Sequence, residues 1–231
     1  MSPAAASRLA ALRETIIGCH KCPRLVRYRE EVARTKRRAY RDCTYWGRPV
    51  PGFGDPRAEL LIIGLAPGAH GANRTGRMFT GDRSGEFLYA QLCRAGLASQ
   101  PTSTHVGDGL ALRNAYISAA IRCAPPDNKP LPAEIQNCSG YLEEELDLLK
   151  PRAVLALGAI AFDSYLRLLV RRGQLASRAD YRFAHGAQFK LPGDLPRLFA
   201  SYHPSQQNTQ TGRLTPAMFS SVLRRIRHAL L

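Results

Sequence analysis

Acidic residues are few in this chain: 18 Asp and Glu stand against 33 Lys and Arg, a formal charge of +15 with histidine neutral. So large an excess speaks for a polyanionic partner, because each phosphate that a cation neutralises releases condensed counterions. For any single patch, such as Arg34 to Arg38 or Arg224 to Arg227, a solvated basic surface that aids solubility is the competing reading. Long apolar runs are missing too. None reaches the ~18–20 residues of a membrane-spanning helix, so no membrane association is expected. Arg8, Arg13 and Glu14 interrupt the apolar core that an N-terminal export signal needs. A cytoplasmic location is therefore expected, and there six cysteines are better metal ligands than disulfide partners.

Signatures of several enzyme classes are absent as well. The glycine-rich stretch from Gly64 to Asp82 has no Gly-Lys-Ser/Thr to close an ATP-binding loop, and its spacing of Gly64, Gly68 and Gly71 is not that of a dinucleotide fold. Neither a Ser-His-Asp arrangement nor a His-Glu-x-x-His pattern is visible, and there is no internal repeat or low-complexity segment.

What the chain does contain is an alternation of strand and helix patterns. At 231 residues, one α/β domain with an appendage is the default. Helical patterns cover residues 4–17, with Leu9, Leu12 and Ile16 on one face, and about 25–36. Beyond the loop from Pro49 to Pro56, strands are expected over 60–64, 115–121, 153–157 and 198–202. Helices are expected over 85–95, 133–149, 160–170 and 216–230, the last with Thr215 as N-cap and Pro216 at its first position. This alternation predicts a parallel sheet with helices on both faces, residues 1–57 forming an N-terminal helical segment and 58–231 the core of a single domain.

In such folds ligands bind beyond the carboxyl ends of the strands. The polar stretches 66–82, 124–129 and 203–213 fall there. Asp82, before a helix, is either a cap or a catalytic carboxylate. His203, held extended by Pro204, can donate to a developing anion or satisfy local backbone. Asn128 reads as a turn residue or a site residue, and Phe79 as core or as a stacking platform. Cys19 and Cys22 form a C-x2-C pair, and Cys123 and Cys138 a looser one. Four thiolates suit structural zinc or an iron–sulfur cluster, and the loose second pair favours a cluster; a metal-free reading stays open. Cys93 reads as a small buried residue and Cys43 as a free thiol, and either could take the place of one of the four.

The segment from Gly64 to Asp82 closely resembles the first motif of family 5 (type B) uracil-DNA glycosylases. The segment from Tyr202 to Thr215 resembles their second motif, and the segment from Arg122 to Pro130 also looks like theirs. The resemblance runs from the first cysteine pair to the C-terminus. It implies a three-layer α/β/α fold with a central four-stranded parallel sheet, to which an iron–sulfur cluster ties the N-terminal helices. It implies a [4Fe-4S] cluster on Cys19, Cys22, Cys123 and Cys138. The implied activity is removal of uracil, and often other deaminated or damaged bases, from DNA. Asp82 would be the catalytic carboxylate, Asn128 a supporting group and His203 the histidine facing the base. Phe79, with Ala66, Gly68 and Ala119, is expected around the base.

Type A iron–sulfur glycosylases, which the chain also resembles, carry a uracil-reading Asn in the strand before the third cysteine. Here Ala119 or Ala120 takes that place, so relaxed base specificity is expected. Arg74, Arg77 and Arg213 are expected on phosphates, and Gln206, Gln207 and Asn208 are candidates to fill the gap left by an extruded base. A monomer acting on double-stranded DNA is the expectation. The rival readings are a non-catalytic iron–sulfur protein that binds DNA and senses lesions, and a mononucleotide-binding protein.

Overall fold

The computed structural model describes residues 3–231, so of the N-terminal segment only residues 1 and 2 lie outside the described part. Two helices come first, α1 (Pro3–Ile17) and α2 (Pro23–Thr35), followed by the two-residue strand β1 (Phe53–Gly54). Alternation then begins with β2 (Leu60–Gly64), the single-turn α3 (Ala72–Thr75) and α4 (Arg83–Arg94). It continues through β3 (Ala115–Ala119), α5 (Pro132–Leu149), β4 (Ala153–Leu157) and α6 (Ala159–Arg171). The chain closes with β5 (Gln188–Phe189), β6 (Arg197–Ser201), the short α7 (Gln206–Gln210) and α8 (Pro216–Leu230).

The sheet order is β1-β3-β2-β4-β6-β5, with β3, β2, β4 and β6 parallel. The expected four-stranded parallel centre is present, but the sheet has six strands, because β1 and β5 pair antiparallel at its two edges. Two residues are too few to carry a period-2 pattern, which is why neither edge was visible in the sequence. Side chains of β2 alternate between two cores, as the pleat requires. Leu60 and Ile62 join Leu88, Leu92 and Phe219 of α4 and α8, while Leu61 and Ile63 join Tyr141, Phe162 and Tyr165 of α5 and α6. Leu9, Leu12 and Ile16 of α1 complete the second core, which accounts for their helical spacing.

A third, small cluster attaches α2. Cys22, Cys123 and Cys138 bury together with Leu25 and Ile121. Beside it, Arg24 makes a two-pronged pair with Glu134, Nε to Oε1 and Nη2 to Oε2, both 2.7 Å. Asn73 Nδ2 donates to the Arg29 carbonyl at 3.2 Å, joining α2 to the glycine-rich loop. Among the described residues no helix is long and apolar enough to cross a membrane.

Candidate active site

Chain order reverses between β2 and β4, and the loops leaving the carboxyl ends of the parallel strands enclose a cavity of about 300 Å³, as expected at such a switch point. Its wall is formed by Leu65, Ala66, Gly68, Phe79, Asp82, Ser84, Asn128, His203 and Ser205. Four distant stretches thus bring together Asp82, Asn128, Phe79 and His203, with Ala66 and Gly68 beside them.

Asp82 caps a helix and also lines the cavity. It is the N-cap of α4, and its Oδ1 accepts from the Gly85 amide at 2.9 Å. Its Oδ2 lies against the glycine-rich loop so closely that a Cβ on Gly71 would overlap it, and one on Gly68 would stand 3.0 Å away. Gly71 is therefore required by the approach of this oxygen. Asp82 keeps a partly exposed edge, yet burial is the strongest influence on it and raises its carboxyl above the ordinary value. The Gly85 and Ser84 amides and the Arg74 charge oppose that rise without cancelling it.

Phe79 has φ +52°, rare for a bulky residue and held here by its surroundings. Its ring lies over the end of β2, where a Cβ on Gly64 would come within 2.9 Å of it. The His203 ring stands 5.7 Å from it, centre to centre, with 30° between the planes. Burial pushes the His203 imidazole down to about 4, so it is neutral near pH 7 and has a single N–H to donate. Its backbone is fixed by Asn208, whose Nδ2 donates to the His203 carbonyl at 2.9 Å. Asn128 is exposed, has φ +56°, and makes no side-chain hydrogen bond among the described residues, so its amide is free to meet a ligand.

Several expected site residues are placed elsewhere. Ala119 pairs with Gly64 in the sheet and packs in the same apolar cluster as Phe79, and it is not on the cavity wall. Arg77 is buried. Its Nη2 donates to Asp108 Oδ2 at 2.7 Å and Ser103 Oγ at 3.0 Å, and its Nε to Thr80 Oγ1 at 2.9 Å. Burial would raise the Asp108 carboxyl, but Arg77 and the Thr104 and Leu110 amides hold it well below the usual range. A guanidinium engaged in this way is not available to phosphate. Arg74 braces the loop as well, donating to the His70 and Gly81 carbonyls at 2.8 and 2.7 Å and lying over the Tyr40 ring at 4.1 Å. Asn208 braces the loop from inside, for its own carbonyl also accepts from the Leu214 amide. Gln206 and Gln207 are exposed on the first turn of α7, and Arg213 is exposed beside the Tyr202 ring at 4.7 Å.

Ser84 and Ser205, which the sequence reading passed over, line the cavity. Each stands within two residues of a candidate catalytic group, and that spacing is the one signal that could have found them. Cys93 packs half-buried against the core, as a small apolar residue would, and Cys43 is half-exposed.

At the other side of the β2 and β3 tops, Arg29 is buried in α2. Its Nη1 donates to Cys123 Sγ at 3.0 Å and to the Cys19 carbonyl at 3.3 Å, while its Nε has no partner among the described residues. Burial pushes the Cys123 thiol up to about 11 and the Cys138 thiol up to about 12. Cys19 and Cys22 lie near enough to Cys123 to influence it electrostatically, and Cys19 is hydrogen-bonded to Tyr141. All four expected thiols therefore gather in one region, although among the described residues no group of three or more His, Cys, Asp or Glu is set to hold a single metal ion.

A sequence profile of the Uracil DNA glycosylase superfamily matches residues 51–227. The chain is 54% identical over 214 residues to the type-5 uracil-DNA glycosylase of Thermus thermophilus, covering 92% of this chain and 94% of that protein. It is 52% identical over 221 residues to the type-5 uracil-DNA glycosylase of Mycobacterium tuberculosis, covering 95% of this chain and 81% of that protein. To the type-4 uracil-DNA glycosylase of Pyrobaculum aerophilum it is 30% identical over 198 residues, 85% of this chain and 83% of that protein.

Proposed function

The chain belongs to the uracil DNA glycosylase superfamily, and from that premise we propose that it hydrolyses the N-glycosidic bond of uracil in DNA and leaves an abasic site. The observation that carries this reading is the single cavity that collects a desolvated carboxylate, a neutral imidazole and an aromatic platform at the strand tops. A base inside a duplex cannot reach such a cavity, so the nucleotide must leave the stack, which costs least at mispairs such as U·G.

With the base against Phe79, the C1′–N1 bond breaks and its electron pair leaves with the base. Positive charge grows on the deoxyribose, as in glycoside hydrolysis. Asp82 Oδ2, the oxygen not used in capping, stabilises that cation and orients the water whose oxygen bonds to C1′. The water's proton passes to the carboxylate or solvent and finally reprotonates the base. His203 donates its N–H to a base oxygen as negative charge gathers there, and Asn128 supports the same edge. Being neutral beforehand, the imidazole costs no buried charge in the ground state.

Base selection in this reading is loose. Asn128 is the one side-chain amide among the described residues lining the cavity, and it is exposed, so no buried amide is left unpaired by a different base. Incubation with a U·G duplex followed by alkali is expected to give strand scission, and hypoxanthine and xanthine duplexes are expected to be cut as well. Intact uracil-containing strands would end the glycosylase reading; cutting confined to uracil would end the relaxed-specificity one.

A [4Fe-4S] cluster on Cys19, Cys22, Cys123 and Cys138 belongs to the same proposal. The donor set suits it: four thiols lie in one region, three of them buried, beside a buried guanidinium that favours sulfur in its anionic form. Bound there, the cluster would supply a structural tie between the N-terminal helices and the sheet, since hydrolysis moves no electrons. Protein purified without oxygen is expected to contain iron and acid-labile sulfide in equal amounts, and Cys138→Ser to lose both. Zinc in their place, or metal-free protein with its fold intact, would overturn the assignment. The protein's place in the cell is proposed to be the cytoplasm, where it would act as a monomer on double-stranded DNA.

A further inference from the structure

With Arg74 and Arg77 engaged inside the protein, the phosphates of a bound strand need other partners. A groove of about 800 Å³ adjoins the catalytic cavity and shares Gly68, Asp82, Ser84, Asn128 and Ser205 with it. The N-terminal segment contributes Tyr28, Arg37 and Tyr40 to its lining, although that segment supplies nothing to the cavity itself. Arg37 is exposed, and among the described residues its guanidinium forms no ion pair or hydrogen bond. Tyr28 is half-buried with no hydrogen bond to its hydroxyl among the described residues, and Tyr40 brings a ring already steadied by Arg74. Further along, His70, Arg83 and Gln207 line the same groove, Arg83 being paired with Glu86 at 2.9 Å. Asp127, at the end near Asn128, is the acidic group of the groove besides Asp82.

Resting on the DNA reading above, we propose that this groove seats the strand flanking the extruded nucleotide, with Arg37 on a phosphate and Tyr28 stacked against a base. Continuity decides the occupant: Asp82 borders both spaces, so a deoxyribose placed against it must send its phosphodiester into the groove. Aromatic rings interleaved with a free cation are the means by which proteins hold single-stranded segments without reading their sequence. Arg37, within the basic run from Arg34 to Arg38, thereby acquires a role that a merely solvated residue would not have.

The test uses the full chain and a duplex carrying 2′-fluorinated deoxyuridine, whose electron-withdrawing substituent resists cleavage. Binding is measured between about 50 and 200 mM salt, where each phosphate contact contributes about 0.9 to the slope of log K against log salt. Arg37→Gln is expected to lower that slope by about one contact. On a cleavable duplex, Tyr28→Ala is expected to raise KM more than it lowers kcat, with Tyr28→Phe restoring wild-type values. Removing the strand on one side of the uracil should abolish the difference between Arg37→Gln and wild type, and so identify which flank occupies the groove. An unchanged salt slope in Arg37→Gln, or an unchanged KM in Tyr28→Ala, overturns the proposal. Failure of the wild type to cleave uracil-containing DNA would instead overturn the glycosylase reading, and the slope on the fluorinated duplex would still decide the groove.

Discussion

Asp82→Asn is expected to lower kcat/KM on a U·G duplex by about 10²–10⁴-fold while leaving the fold and DNA affinity near wild type. The substitution isolates charge from geometry. Asparagine is as good an N-cap as aspartate, so the bond from the Gly85 amide survives, and its volume fits the space beside Gly71. What is lost is the negative charge facing the deoxyribose as the bond to the base breaks. Wild-type rates in this variant would remove Asp82 from the mechanism.

The pH profile offers a second reading of the same residue. Burial raises the Asp82 carboxyl, so the active carboxylate is lost as pH falls through that raised value. His203, pushed down to about 4, stays neutral above that point and adds nothing to the limb there. The wild-type rate is therefore expected to rise with pH to a plateau, and Asp82→Asn to flatten the rise.

Glu145→Ala is expected to destabilise the protein by about 3–5 kcal/mol, measured by urea unfolding, because it strands a buried guanidinium. Arg122 and Glu145 are each 1% exposed, with Nη2 and Oε2 2.6 Å apart. Ser118 Oγ donates to the same carboxylate oxygen at 2.5 Å. Arg122 Nε and Nη1 and Glu145 Oε1 have no partner among the described residues, so the pair is incompletely satisfied even in the native chain. Replacing both partners with apolar residues, as in Arg122→Met with Glu145→Leu, is accordingly expected to cost less than the single change. A double variant less stable than Glu145→Ala would show that the ion pair itself, rather than relief from a lone buried charge, carries the stability. The site matters beyond stability because the Arg122 amide donates to the Cys138 sulfur, so disorder here reaches the cysteine cluster.

The central strands and long helices were legible because their signals are local. The apolar run Leu60–Gly64 and the Thr215–Pro216 start of the last helix each announce themselves within a few residues, and both were found at the expected bounds. Asp82, Asn128, Phe79 and His203 were legible as candidates for a similar reason, since strand-top loops are where α/β folds bind ligands. Illegible were the properties set by distant partners. Arg77 lies in a basic loop and looks like surface; only the fold brings Asp108, 31 positions away, to bury and neutralise it. Arg29 looks like one more solvated helix residue until Cys123 is placed 3.0 Å from its guanidinium. Ala119 is the last residue of β3, and its place in the apolar core with Phe79 depends on the pairing of β3 with β2, which no single segment specifies.

The two edge strands have a consequence for behaviour in solution. Each is two residues long, and prolines at positions 51, 56 and 192 stand close by. An approaching molecule thus finds almost no free backbone ladder to extend, and the amide-lacking prolines shorten it further. For a strongly cationic protein crowded onto nucleic acid, that blunt rim is a safeguard: neighbours can be packed side by side along the polymer without their sheets fusing into aggregates.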